Sequence, residues 1–166
     1  MSTLNVDNIK DGAGGNNVAM PAGHVVQVVE KVSTASTTFT ANSYADHDEL
    51  AITPKFSTSI MYLTFTGRVK YGSQLQSQER SRGGFKWNRF VGGSSAGSHN
   101  HSTEQFQSNG VSNNNSLEYA FTVTYSVFDT PATLSEITYK LQVINSQTDN
   151  DFLVSHGQIT IMEIAQ

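Results

Sequence analysis

The chain has 166 residues, no cysteine, and a formal charge of −4 from 10 basic and 14 acidic side chains. This length points to a single domain, and the missing cysteine excludes disulfides, Cys-ligated zinc and thiol catalysis. Charged residues make up only 14 % of the chain, while 20 Ser, 17 Thr, 13 Asn and 10 Gln account for 60 positions, a neutral, hydroxyl-rich composition that suits extended β-structure.

Residues 1–23 stand apart from the rest. The opening Met1-Ser2-Thr3-Leu4-Asn5-Val6-Asp7 lacks the basic and apolar regions of a signal peptide. Leu4, Val6 and Ile9 are spaced apolar residues; a flexible Asp11–Asn17 stretch follows, then Val18 and Met20 ahead of Pro21 and Gly23. Five apolar residues cannot build a core, so this segment must borrow one. It lies along the domain, pairs with copies of itself, or inserts into another protein.

From His24 the period becomes two. Val25–Val29 is a β-branched run, and Ile60–Val69 alternates apolar with polar side chains. Further strands read at Gly84–Val91, Tyr119–Phe128, Ile137–Ile144 and Gln158–Ile164, each rich in Val, Ile, Thr and aromatics and bounded by turn formers. No stretch sustains a 3.6-residue period. About eight strands predict an all-β, antiparallel, jelly-roll-like sandwich over residues 24–166. In the strand from Tyr119, alternation puts Tyr119, Phe121, Val123, Tyr125 and Val127 in the core, with Ala120, Thr122, Thr124 and Ser126 opposite. That hydroxyl face meets either water or identical neighbours in a trimer.

Residues 92–116 form a long polar stretch in which only Ala96, Phe106 and Val111 are apolar. Loops of that length are commonly functional or disordered, and this is the first place to look for a ligand or partner. Within it, His99-Asn100-His101 sets two imidazoles on one side of an extended strand, about 7 Å apart. Two ligands do not close a metal site, but a threefold axis would supply six, enough for an octahedral divalent ion; solvent-facing loop histidines are the alternative. No other cofactor is expected.

Catalysis is not expected. The chain has no Gly-x-Ser-x-Gly elbow, and its carboxylates cluster as Asp46, Asp48 and Glu49 and as Asp149 and Asp151, which read as turn formers rather than as a facing pair. Positive charge is concentrated between Gly67 and Phe90, where six basic residues face the single acid Glu79. Arg82, Lys86 and Trp87 there make a candidate patch for a host-surface glycan, with Trp87 stacking on sugar rings; the competing reading is a basic strand whose aromatics are partly core. The pI of about 5.6 argues against bulk nucleic-acid binding. No apolar run reaches the roughly 18 residues that cross a bilayer as a helix.

Several pieces of the chain resemble a β-rich domain of structural proteins from tailed bacteriophages, marine phages especially. They are Gly23–Val29, Ile52-Thr53-Pro54-Lys55-Phe56-Ser57-Thr58-Ser59 running into Ile60–Gly67, Asp129-Thr130-Pro131 through Lys140, and Ile159–Ile164. The leader Ser2–Ile9 is similar to the N-terminal segment of the same proteins; residues 92–116 have no counterpart. The resemblance implies a virion protein, homotrimeric, folded in the host cytoplasm and docked to other virion proteins through Leu4, Val6, Ile9, Val18 and Met20. Such a chain serves either as a fibre or spike subunit that contributes to host attachment or as a head-decoration protein that cements the capsid.

Overall fold

The computed structural model describes residues 22–40, 42–71, 80–100, 106–109, 120–146 and 152–166; the proposed anchor residues Leu4, Val6, Ile9, Val18 and Met20, and His101, lie outside them. Nine strands are present among these residues: β1 (Val25–Phe39), β2 (Tyr44–Ile52), β3 (Ile60–Tyr71), β4 (Arg80–Val91), β5 (Ser94–Asn100), β6 (Phe106–Asn109), β7 (Ala120–Asp129), β8 (Ile137–Asn145) and β9 (Phe152–Ile164).

They form two antiparallel sheets. Sheet I runs β1-β9-β3-β7 and sheet II runs β2-β8-β4-β5, with β6 pairing β4 beyond the end of β5. The pairs β1·β9, β2·β8, β3·β7 and β4·β5 trace one long antiparallel ribbon, and rolling it up adds the β3·β9 and β4·β8 pairings. Chain and ribbon therefore cross between sheets at every connection except the β4–β5 hairpin and the step to β6. This is the jelly-roll order expected from the strand pattern.

Two sequence expectations need correction. Asp46, Asp48 and Glu49 are not in a turn but in β2, where a register shift between Asp46 and Asp48 breaks the alternation. The polar stretch 92–116 is not wholly loop: Ser94–Asn100 and Phe106–Asn109 both pair with β4. Serine, glycine and asparagine carry little strand propensity, so the partner strand, rather than the local sequence, extends them.

The core lies between the sheets. Met61, Leu63, Phe65 and Val69 of β3 face Phe85 and Trp87 of β4 and Tyr139, Leu141 and Val143 of β8, all without exposed surface. On β7 the predicted core face holds only in the second half of the strand: Tyr125 and Val127 are buried and Phe128 on the other side is 64 % exposed, but Val123 is only partly buried and Phe121, expected in the core, is exposed. Tyr119 lies outside the described residues. Phe65 sits over two glycines, Gly67 of its own strand and Gly157 of β9, and a β-carbon on either would stand inside the van der Waals envelope of the ring. His47 also enters the core, its ring edge-on to Phe39 and Phe65 at 6.1 and 5.8 Å. Burial lowers its pKa from the usual 6.5, against the opposing charge of Asp48.

Candidate functional site

Two buried carboxylates tie the sandwich together. Asp129, at the end of β7 in sheet I, is 4 % exposed. It accepts both hydrogen bonds from Arg89 Nη1 of β4, at 2.7 and 2.9 Å, and a third from the Tyr139 hydroxyl of β8 at 2.6 Å. His99 of β5 brings Nε2 to 3.0 Å from Asp129 Oδ1, but without hydrogen-bond alignment, so the contact is one of proximity. Arg89 Nη2 donates to the Ala96 carbonyl at 2.9 Å, and the Tyr125 hydroxyl donates to the His99 carbonyl at 2.9 Å. One carboxylate thus hydrogen-bonds sheet I to two strands of sheet II, β4 and β8, and lies against His99 of a third. The burial and the Asp129 contact push the Tyr139 phenol pKa far above its ordinary value.

Glu163 of β9 is fully buried and is held by neutral donors alone. Its oxygens accept from Gln27 Nε2 at 2.6 Å, from the Lys55 amide at 2.8 and 3.0 Å, from the Phe56 amide at 3.0 Å and from the Ser59 hydroxyl at 2.7 Å. The connection from β2 to β3 is wrapped around this carboxylate, which supplies the acceptors its amides need away from water. Sequence reasoning missed both acids as site residues. The signal was parity: Asp129 continues the inward set Val123, Tyr125, Val127, and Glu163 continues Ile159, Ile161. An acid in phase with a buried face must be hydrogen-bonded there.

The outer face of sheet II carries the predicted basic patch, but not as a triad. Arg82 and Lys86 lie four residues apart on β4 and share the outward side. Trp87 has the opposite parity and no exposed surface, so its indole packs in the core and presents no face to a sugar. Among the residues whose side chains are described, the aromatic rings on the outer face are Tyr44 and Phe90. Lys86 Nζ stands 4.1 Å from the Tyr44 centroid, and Lys140 Nζ stands 5.2 Å from that of Phe90. Lys140 also pairs with Asp46 at 2.9 Å and Glu49 at 3.4 Å, and Gln142 donates to Asp46 at 2.6 Å. Burial raises the Asp46 carboxyl, but the bonds from Gln142 and Lys140 and the charges of Lys140 and Lys86 outweigh it, and its pKa falls below the ordinary value. This face is charged and internally paired.

The outer face of sheet I is different. Register aligns Val25, Ile164 and Ile60 in one row across the strands, and Val28, Met162, Tyr62 and Phe128 in the next. Tyr62 and Phe128 are in ring contact at 4.7 Å. Then come Glu30, Thr160, Thr64 and Ser126, and after them Val32, Gln158, Thr66 and Thr124. Val25 and Val28 are each about half exposed, Phe128 is 64 % exposed and Val32 72 %. Thr66 and Thr124 share a hydroxyl hydrogen bond at 3.1 Å.

His99 points toward Asp129 rather than standing free beside a partner imidazole, and among the described residues no group of three His, Asp or Glu gathers as a metal site.

No protein-family model matches the chain, and no curated protein matches it. Solved structures similar to it include the VP2 subviral particle of infectious bursal disease virus (8 % identity, 82 % of this chain, 32 % of that one, TM-score 0.47). The T13 particle of the same virus aligns over 97 % of this chain and 39 % of that one, with 7 % identity and a TM-score of 0.43. A xylan-binding domain of Paenibacillus barcinonensis Xyn10C aligns over 89 % of this chain and 99 % of that one (13 % identity, TM-score 0.32). The chain spans about a third of the length of the viral proteins. Likenesses at this level leave function to be argued from the residues themselves.

Proposed function

We propose that the chain is a structural subunit of a tailed-bacteriophage particle, a fibre or spike module docked through its leading segment and contributing to host-surface attachment. The virion setting rests on the sequence resemblance. The pieces that carry it hold both buried carboxylates and most of their donors: Asp129 and Tyr139 in one, Lys55, Phe56 and Ser59 in another, Glu163 in the last. The resemblance therefore follows the acids that fix Tyr139 of sheet II and the β2–β3 connection to sheet I.

The observation that carries an assembly role is the outer face of sheet I, which no other described strand covers and which has two apolar rows at one end. Exposed apolar area of that extent marks a surface meant for a partner. The charged face of sheet II, with Lys86 over the Tyr44 ring and Arg82 on the same side of β4, is the side left for a host glycan, and many weak contacts on one particle add up to firm attachment. We read the chain as non-enzymatic, its buried acids being committed to structure. Head decoration is the second reading, favoured by the breadth of the sheet I face, which suits contact with a shell.

Quantitative mass spectrometry of purified particles tests this. A fixed, low copy number supports a fibre or spike; copies in proportion to capsid subunits support decoration. Absence of the chain from particles refutes the virion reading.

A further inference from the structure

We infer that the outer face of sheet I is the contact surface between copies of this chain, covered in solution by the same face of a second copy, a two-fold pairing in place of the homotrimer that the resemblance implies. The inference deepens the assembly reading and rests on it for its biological setting, but its test does not.

Three features select the occupant. The first is charge. Across the four aligned rows the one charged side chain is Glu30, at the β1 edge and already bonded to Gln158 at 3.0 Å; Arg68 and Lys70 stand beyond the last row. An uncharged surface is best met by another uncharged surface, because a charged one would lose its water without gaining a partner. The outer face of sheet II carries Arg82, Lys86, Lys140, Asp46 and Glu49 and cannot serve. The neutral surface known to be present wherever this chain is present is the same face of another copy, and self-complementary patches are how identical subunits associate.

The second feature is size. Four strands about 4.8 Å apart and about ten residues long span roughly 600 Å² in projection, close to the roughly 800 Å² each partner contributes to a stable interface. The third is the gradient along the face. Val28, Met162, Tyr62 and Phe128 supply the apolar anchor, and the Thr and Ser rows beside it let two backbones approach closely while offering hydroxyls to each other.

Light scattering on the full chain, with Phe128→Glu and Thr64→Arg tested singly, decides the matter. Both side chains lie outside the core, so the variants keep the wild-type far-ultraviolet circular dichroism. The wild type is expected to associate in a concentration-dependent way, and each variant to shift that association at least tenfold toward monomer, while Ser98→Glu on sheet II leaves it unchanged. In the cysteine-free chain a Thr124→Cys thiol should alkylate more slowly as concentration rises. A monomeric wild type, association unaffected by both variants, or protection independent of concentration (the mark of the chain's own leading segment lying on the face) would each overturn the proposal. Particle incorporation is a separate readout: a chain that associates through sheet I yet is missing from particles sinks the virion reading alone.

Discussion

Replacing Asp129 with alanine should damage the sandwich more than its single position in the chain suggests. The carboxylate is 4 % exposed and compensates Arg89, whose side chain is 17 % exposed, while also accepting the buried Tyr139 hydroxyl at 2.6 Å. Truncating one partner of a buried pair typically costs about 3–5 kcal/mol, because the other charge is left desolvated. Arg89 retains the Ala96 carbonyl and some water, which places the cost near the lower end, at about 3 kcal/mol. For a domain of this length each kcal/mol moves Tm by roughly 2–4 °C, so thermal unfolding followed by circular dichroism should show a fall of about 6–12 °C. Because Asp129 fixes the guanidinium that reaches Ala96 of β5, amides of Ser94–Asn100 should exchange faster in the variant than in the wild type. Adding Arg89→Met to Asp129→Ala should recover much of the loss, since the orphaned charge is then gone. A Tm for Asp129→Ala within about 2 °C of the wild type would refute the view that this carboxylate clamps the sheets.

Glu163→Gln should also destabilise strongly, by about 2–4 kcal/mol in urea unfolding, because an amide replaces one acceptor oxygen with a donor facing donors; an unchanged midpoint would mean the β2–β3 connection does not depend on it. Gly157→Ala must displace the Phe65 ring, and an overpacking cost of about 1–3 kcal/mol is expected, with an equal Tm counting against the packing. Stability should also depend on pH through His47. Its pKa is lowered in the folded state, so the unfolded chain binds more protons; the contribution is full above about 6.5 and is lost as pH falls below that toward the folded value. Asp46 and Asp48, both lowered from 3.8, add a second loss only below about pH 4. His47→Phe should flatten the profile between pH 7 and 5; an unaltered slope would assign it elsewhere.

Most of the architecture was legible from alternation alone. Ile60–Val69 and Ile137–Ile144 have apolar side chains on every second residue, and only a two-layered sheet buries one face of each. Strands β5 and β6 were illegible because Ser, Gly, Asn and Gln carry no apolar phase, and the edge of β4 decides their pairing. The acids of β2 looked like a turn because the bulge at His47 breaks the alternation there. Of the two readings of Trp87, the core one holds, and parity is the reason: 82 and 86 share a side of β4, and 87 cannot join them. The same counting would have found Asp129 and Glu163. His99 was seen as a loop residue, whereas it reaches Asp129 across the sandwich, a contact between residues 30 positions apart that local sequence does not encode.

The most direct measurement is a reconstruction of the intact particle, by electron cryomicroscopy, at a resolution that separates β-strands. The account predicts this nine-stranded module at a defined place on the particle, with the row Val28, Met162, Tyr62 and Phe128 covered by a second copy and the Lys86 and Lys140 face turned to solvent. Particles devoid of the module, or copies whose sheet I faces open water, would contradict it.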